Sequence, residues 1–256
     1  MHKRKKLAAY ERFAEVYDAV GGDEFGLSML PRLYAILSKY KWQPKTALDL
    51  GCGTGSVAMA LAREGIEVTG LDRSAQMLER AKLKAKAAPE LPVTFIKGDM
   101  RRFGLPQQVD LVTCFFDAMN YMLSDTDLLA TFRCAEAALR PGGIFVFDLN
   151  SIYALSKIWG DDVFAENYGD VAYIWESSYD PNTRCGAMKS IFFAKKEGSE
   201  LYERFIEHHV ERAYPMADVR WFLQQAGLAV LEVTRKDGRA AREVDSRHVY
   251  VARKAQ

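Results

Sequence analysis

Cysteine is scarce in this 256-residue chain. The four present, Cys52, Cys114, Cys134 and Cys185, form no Cys-x-x-Cys pair, and none has a histidine at metal-ligand spacing. This excludes a disulfide framework and a zinc-finger-like centre; the pattern reads as buried thiols in a reducing cytoplasm, with no metal. Charge of either sign is also lacking in excess. Thirty-five Lys and Arg against 34 Asp and Glu leave a formal net charge of +1, so nothing global draws the chain to nucleic acid or to an anionic membrane. No stretch approaches the roughly 20 apolar residues of a membrane span. The basic start, His2-Lys3-Arg4-Lys5-Lys6, is followed by Glu11, Arg12, Glu15 and Asp18 instead of an apolar run, which marks a solvated end and not a signal peptide.

What is present is apolar material for a large core: 49% of residues are hydrophobic, enough for one α/β domain with a small insertion. The chain is organised around Ala47-Leu48-Asp49-Leu50-Gly51-Cys52-Gly53-Thr54-Gly55. A short apolar strand runs into a loop with glycine at every second position, and Val57 to Ala62 reads as the start of a helix. Such a corner lets a ligand approach the backbone, because glycine adds no Cβ and the helix start offers unpaired N–H groups. Two more strand ends follow with an acid in the same place. Glu67 to Leu71 ends in Asp72, with Ser74 as cap of a helix reaching about Ala87, and Val93 to Lys97 ends in Gly98-Asp99-Met100. The alternation implies parallel strands joined by right-handed crossovers, with ligands at the carboxyl ends of the strands. One carboxylate there serves equally well as a turn former; three in register with a glycine loop point to a site.

The corner departs from the dinucleotide fingerprint, which needs a third glycine where this chain has Ser56. Its Gly-x-Gly-x-Gly spacing, with Asp49 two residues ahead, resembles motif I of the class I S-adenosylmethionine-dependent methyltransferases. Leu139-Arg140-Pro141-Gly142-Gly143, read as a helix stop and turn before a fifth strand over Ile144 to Leu149, is a second point of resemblance. So is Tyr17-Asp18, which lies in an amphipathic helix expected over Leu7 to Val20. A second helix is expected from Gly26 to Tyr40. The resemblance implies S-adenosylmethionine as cofactor. Asp72 would accept from the two ribose hydroxyls, Asp99 from the adenine amine, and the Met100 N–H would serve a ring nitrogen. Met77 would touch the purine, Tyr17 would cover the sulfonium, and Asp49 would lie near the methionyl cation. Gly51, Gly53 and Gly55 would give backbone approach, with Asp117 among the cofactor contacts.

The fourth strand, Val109 to Phe115, leads to a loop carrying Asp117, Asn120 and Tyr121, placed to face a methyl acceptor. Methyltransferases acting on base amines commonly carry an Asn/Asp-Pro-Pro-aromatic motif here, and this chain has none. After Asn150 the crossover rhythm gives way to hairpins: a short helix over Ser151 to Trp159, then strands at Tyr168–Trp175, Arg184–Lys195 and Glu200–Arg212. A helix from Met216 to Ala226 and strands at Ala229–Arg235 and His248–Ala252 complete the main sheet. The expected architecture is therefore a Rossmann-like class I methyltransferase fold, with a seven-stranded, mostly parallel sheet and a small antiparallel insertion after the fifth strand. Residues 1–43 would cover the cofactor, 44–150 and 213–256 would form the main domain, and 151–212 a substrate lid. His208 and His209 are candidate bases; strand geometry points them to opposite faces, so one of the two can face the pocket. The chain resembles the small-molecule branch, which includes sugar-amine N,N-dimethyltransferases. The expected partner is a small-molecule acceptor, with nucleic acid disfavoured, no membrane, and a homodimer left open. The alternatives are a nucleic-acid methyltransferase, a nicotinamide oxidoreductase and a non-catalytic adenosylmethionine-binding regulator.

Overall fold

Alternation along the central strands sets the layers. In β4 (Val109–Cys114) and β5 (Leu139–Asn150) nearly every side chain is buried, and successive residues go to opposite faces: Leu111, Ile144 and Val146 to one core, Val112, Phe145 and Phe147 to the other. A computed structural model, describing residues 9–256, shows β1 (Thr46–Leu50), β2 (Glu67–Asp72) and β3 (Val93–Lys97) joined to these in a seven-stranded sheet of order β10-β11-β5-β4-β1-β2-β3. The strands β1 to β5 pair in parallel, and β11 (Arg247–Lys254) runs antiparallel to both β5 and β10 (Leu228–Thr234).

Helices α1 (Glu24–Ser28), α2 (Leu30–Lys39), α3 (Ser56–Arg63), α4 (Ala75–Lys86), α5 (Asp125–Ala138) and α6 (Met216–Gln225) cover the sheet. Buried side chains of α2 and α3 enter one core and those of α5 and α6 the other. Ser74 caps α4, accepting from the Met77 N–H at 3.2 Å, and Ser124 caps α5 through Asp127 at 3.1 Å. Both caps sit at the carboxyl edge of the sheet, which fixes where the loops after β2 and β4 begin.

The hairpin region forms a separate four-stranded antiparallel sheet of order β6-β7-β8-β9, made of Val163–Asn167, Val171–Asp180, Cys185–Lys195 and Tyr202–Arg212. The short strand β6 was not expected, and β7 begins and ends later than its sequence pattern suggested. The segment before β6, Ala154–Trp159, is a π-helix.

Three local expectations are corrected. The N-terminal amphipathic helix is absent from the described part of its range: Phe13–Glu15 and Asp18–Val20 are single 3-10 turns. The reason is that the N–H groups of Tyr10, Arg12 and Phe13 all donate to the Glu207 carboxylate on β9, so this strap is anchored to the second sheet. The basic run at 2–6 lies outside the described residues. The helix expected over 26–40 is split at Met29, where Pro31 has no N–H to offer the preceding turn. Arg140-Pro141-Gly142-Gly143 lies within β5; a bulge between the Val109–Leu139 and Leu111–Ile144 pairs absorbs it. Phe13, Val16 and Val20 of the strap pack with Val171, Tyr173, Phe192 and Phe205 of the second sheet in a third apolar cluster.

Candidate active site

The carboxyl ends of β1, β2 and β3 open onto a cavity of about 440 Å3. Its walls come from the glycine corner (Gly51, Gly53), from β2 and α4 (Asp72, Met77), from Asp99 and Met100 after β3, and from the loop after β4 (Phe116, Tyr121). Tyr10 and Tyr17 of the strap and His208 and Val210 of β9 close it from the other side. A smaller lobe of about 40 Å3 shares Tyr17, Gly51, Gly53 and Phe116 with it and adds Asp49, Thr54 and Gly26.

The last two corner glycines do different work. Gly53 has φ +54°, and a Cβ built there meets nothing within 4 Å: the space before it belongs to the cavity. Gly55 has φ +80°, but its Cβ would fall 2.5 Å from the Phe95 ring; it lines neither lobe and is required for packing between α3 and β3, not for ligand approach.

Asp72 is the acid best placed for a polyol edge. Its two oxygens accept from Gly53 N at 2.9 Å and Ser74 N at 2.7 Å, which fixes the carboxylate and leaves it further lone pairs for hydroxyl donors. Burial raises its pKa, against the pull of those N–H groups. Asp49 is 3% exposed and accepts from the Thr113 hydroxyl at 2.7 Å. Burial pushes its pKa up to about 7, so a cation entering the smaller lobe would meet a group ready to ionise. Asp99 differs: Arg101 binds it through both Nε (2.9 Å) and Nη2 (2.6 Å), and that pairing holds its carboxyl down at about 2. Arg101 continues to Asp127 at 3.0 Å; both line the cavity and neither was picked out from the sequence.

Tyr17 is positioned by its neighbour. The Asp18 carboxylate accepts from Thr54 Oγ1 at 2.6 Å and pairs with Lys84 at 2.6 Å, tying the Tyr-Asp segment to the glycine corner.

Like Gly55, the expected site residues Asp117 and Asn120 stand apart from the cavity. Asp117 is buried behind its wall, paired with Arg247 at 2.9 Å. Arg247 also pairs with Asp148, and Glu211 of β9 lies against the same cluster, its carboxyl pushed well up by burial and by Asp117. Three acids around one guanidinium hold a structural charge network in place of a cofactor contact. Asn120 is fully buried. Its Nδ2 donates to the carbonyls of Asn150 (3.1 Å) and Arg212 (2.9 Å), and its Oδ1 accepts from Asn150 N (2.9 Å). It clamps together the two points where the chain leaves and re-enters the main sheet, with no polar atom left for an acceptor.

The histidines divide as strand geometry requires. His208 is exposed at the cavity edge, whereas His209 is 3% exposed with Nδ1 2.9 Å from the Tyr121 hydroxyl. Period-two patterning points the other way: His209 is flanked at two-residue spacing by Glu207 and Glu211, and His208 by Ile206 and Val210, yet the Glu-His-Glu face is the buried one.

The donor set fits an adenosyl group: open space before a positive-φ glycine, a fixed carboxylate with spare lone pairs, and two methionines on the apolar wall. Comparison with known proteins agrees. Residues 47–143 match the methyltransferase domain family. A protein of Geobacillus sp. (strain WCH70), named as a methyltransferase, is 32% identical over 247 residues, covering 96% of this chain and 99% of its own. An S-adenosylmethionine-dependent methyltransferase structure from Clostridium acetobutylicum superposes with TM-score 0.85 at 27% identity, covering 96% and 98% of the two chains. The sugar N-methyltransferase KedS8 of Streptoalloteichus shares the fold at TM-score 0.80 and 18% identity, covering 100% and 98%. With nearly full-length similarity added to a glycine corner that opens on its cavity, the chain belongs to the S-adenosylmethionine-dependent methyltransferases.

Proposed function

We propose that the acceptor is a small molecule carrying an amine, held between the cofactor and the inserted sheet. The observation that carries this reading is the size and lining of the cavity: about 440 Å3, in the range of small-molecule sites, with Tyr10 and Tyr17 of the strap and His208 and Val210 of β9 together across it from the glycine corner. Supporting it, the rings of Tyr10, Tyr17 and Tyr121 line the cavity, and aromatic faces favour cationic and amine-bearing groups. The fold shared with KedS8, titled a sugar N-methyltransferase, is a reason to begin with amines.

On this reading Gly51, Gly53, Asp72, Met77, Asp99 and Met100 hold the adenosine and Asp49 faces the methionyl part. Tyr17 covers both, and residues 151–212 act as the acceptor lid. When bound, the cofactor supplies an activated methyl on a sulfonium. The protein's own work is then mainly alignment for in-line displacement, an effect worth on the order of 7 to 11 kcal/mol. A labelled-methyl screen across amines, alcohols, carboxylates and oligonucleotides tests the proposal. Label in a small amine is the expected result. Label confined to an oligonucleotide, falling steeply with added salt, would overturn it.

A further inference from the structure

β9 carries a line of buried polar groups that cofactor binding does not use. Glu207 accepts from the N–H groups of Tyr10 (2.7 Å), Arg12 (2.5 Å) and Phe13 (2.8 Å). Burial alone would raise its carboxyl, but the His209 imidazole beside it and the Phe13 and Arg12 N–H groups hold it below its ordinary value. His209 stands next on the same face, with Nε2 3.5 Å from Glu207 Oε2 and no hydrogen-bond partner for that atom among the described residues. Its Nδ1 is 2.9 Å from the Tyr121 hydroxyl, which is also 2.9 Å from that of Tyr10. The Tyr10 and Phe13 rings pack against the imidazole at 5.0 and 6.2 Å. Tyr10 and Tyr121 both line the cavity.

The carboxylate decides the tautomer. An N–H on Nε2 faces a fixed negative charge, while a bare Nε2 would set lone pairs against it. With the proton on Nε2, Nδ1 can only accept, so the Tyr121 hydroxyl, which is also placed to donate to Tyr10 Oη, turns its single proton to Nδ1. The lone pairs of Tyr121 Oη then remain for the cavity. The phenol itself stays protonated, since burial and Glu211 raise the Tyr121 pKa well above its ordinary value. It passes a proton on instead of titrating.

We propose that Tyr121, His209 and Glu207 form a proton relay that takes up the proton shed by the methyl acceptor; this rests on the reading of a small acceptor with an N–H to lose. The amine lone pair forms the N–C bond as the C–S bond breaks, its electron pair remaining on sulfur. The N–H bond of the resulting ammonium then breaks, leaving its pair on nitrogen. That proton goes to Tyr121 Oη as Tyr121's own proton moves to His209 Nδ1, giving an imidazolium beside the Glu207 carboxylate. His209 also borders a cleft of about 10 Å3 with Ser177, Met188 and Trp159, room for about one water, through which the proton returns to solvent. Tyr121 is the group that touches the acceptor; His209 and Glu207 are positioning residues.

The first test needs no acceptor. In protein labelled with [15N]histidine, with His209 assigned by loss of its signals in His209→Gln, the relay requires a protonated Nε2 and a bare Nδ1. Tyr121→Phe should move the Nδ1 resonance and leave Nε2 nearly in place. A protonated Nδ1 overturns the relay, whatever the substrate. The second test uses the amine found in the labelled-methyl screen. Tyr121→Phe and His209→Gln should each lower kcat by about a hundredfold or more with cofactor Kd within about twofold, and the double variant should be no slower than the slower single. Losses that multiply, or that follow cofactor affinity, overturn it. If the wild type methylates no small molecule, the acceptor reading fails, and the tautomer measurement still decides the relay.

Discussion

The two sides of the cavity are built in contrasting ways. On the corner side, Gly51, Gly53, Asp72, Met77, Asp99 and Met100 come from 50 consecutive residues, each at the end of a parallel strand or the start of the next helix. On the other side, Tyr10, Tyr121 and His208 come from three distant parts of the chain, and Glu207 gathers the strap onto β9. The first side is set by a repeated local unit. The second exists once a strap, a loop and an inserted sheet have met, so its polar groups must be held by one another. The difference separates the work as well: the local side suits a cofactor that does not vary, and the assembled side can change with the acceptor.

Breaking the local side should have the largest effect. In Gly53→Val the branched side chain enters the open space before Gly53 at a φ of +54°, where L residues are strained. Calorimetry should show adenosylmethionine affinity reduced at least about a hundredfold, roughly 2.7 kcal/mol, with the melting transition still cooperative. Normal binding would reduce the corner to a turn. Asn120→Ala addresses the assembled side. It strands the Asn150 N–H and two carbonyls in a buried position, so denaturant unfolding should lose about 2 to 3 kcal/mol. A loss below about 0.5 kcal/mol would show that the clamp is dispensable.

Asp49 gives a pH test of the smaller lobe. Its folded-state pKa of about 7 lies above the ordinary carboxyl value of 3.8, so the folded state favours the protonated form. That stability is fully present below the unfolded pKa and is lost as pH rises through the folded one. The ligand-free protein should therefore lose roughly 2 to 3 kcal/mol from this group between pH 5 and pH 8, and Asp49→Asn should flatten that part of the profile. An unchanged slope would place Asp49 in a more polar setting than its burial implies.

The contrast also sorts what the sequence disclosed. Strands β1 to β5 follow from short apolar runs bounded by turn signals, and the start of α4 from Ser74 before it, signals contained within a few residues. Helical spacing of Tyr10, Phe13 and Tyr17 suggests a helix for the strap, and nothing near them reveals that Glu207, almost 200 residues away, takes the N–H groups of Tyr10, Arg12 and Phe13. Asp117 and Asn120 were expected to face ligand because polar groups follow a strand end. Their burial depends on Arg247 and Asn150, which no local pattern links to them. Gly55 shared a motif with Gly53, yet its role is packing against Phe95, a contact made across two strands.

The central claim is that the strand-end acids and glycine corner hold adenosylmethionine, and titrating adenosylmethionine into the wild type and into Asp72→Ala tests it most directly. Asp72 is fixed by Gly53 N and Ser74 N, and hydrogen bonds to a charged group contribute about 1.5 to 3 kcal/mol each. The account predicts binding by the wild type and a loss of at least about 1 kcal/mol in the folded variant. Equal affinities in the two proteins would contradict it.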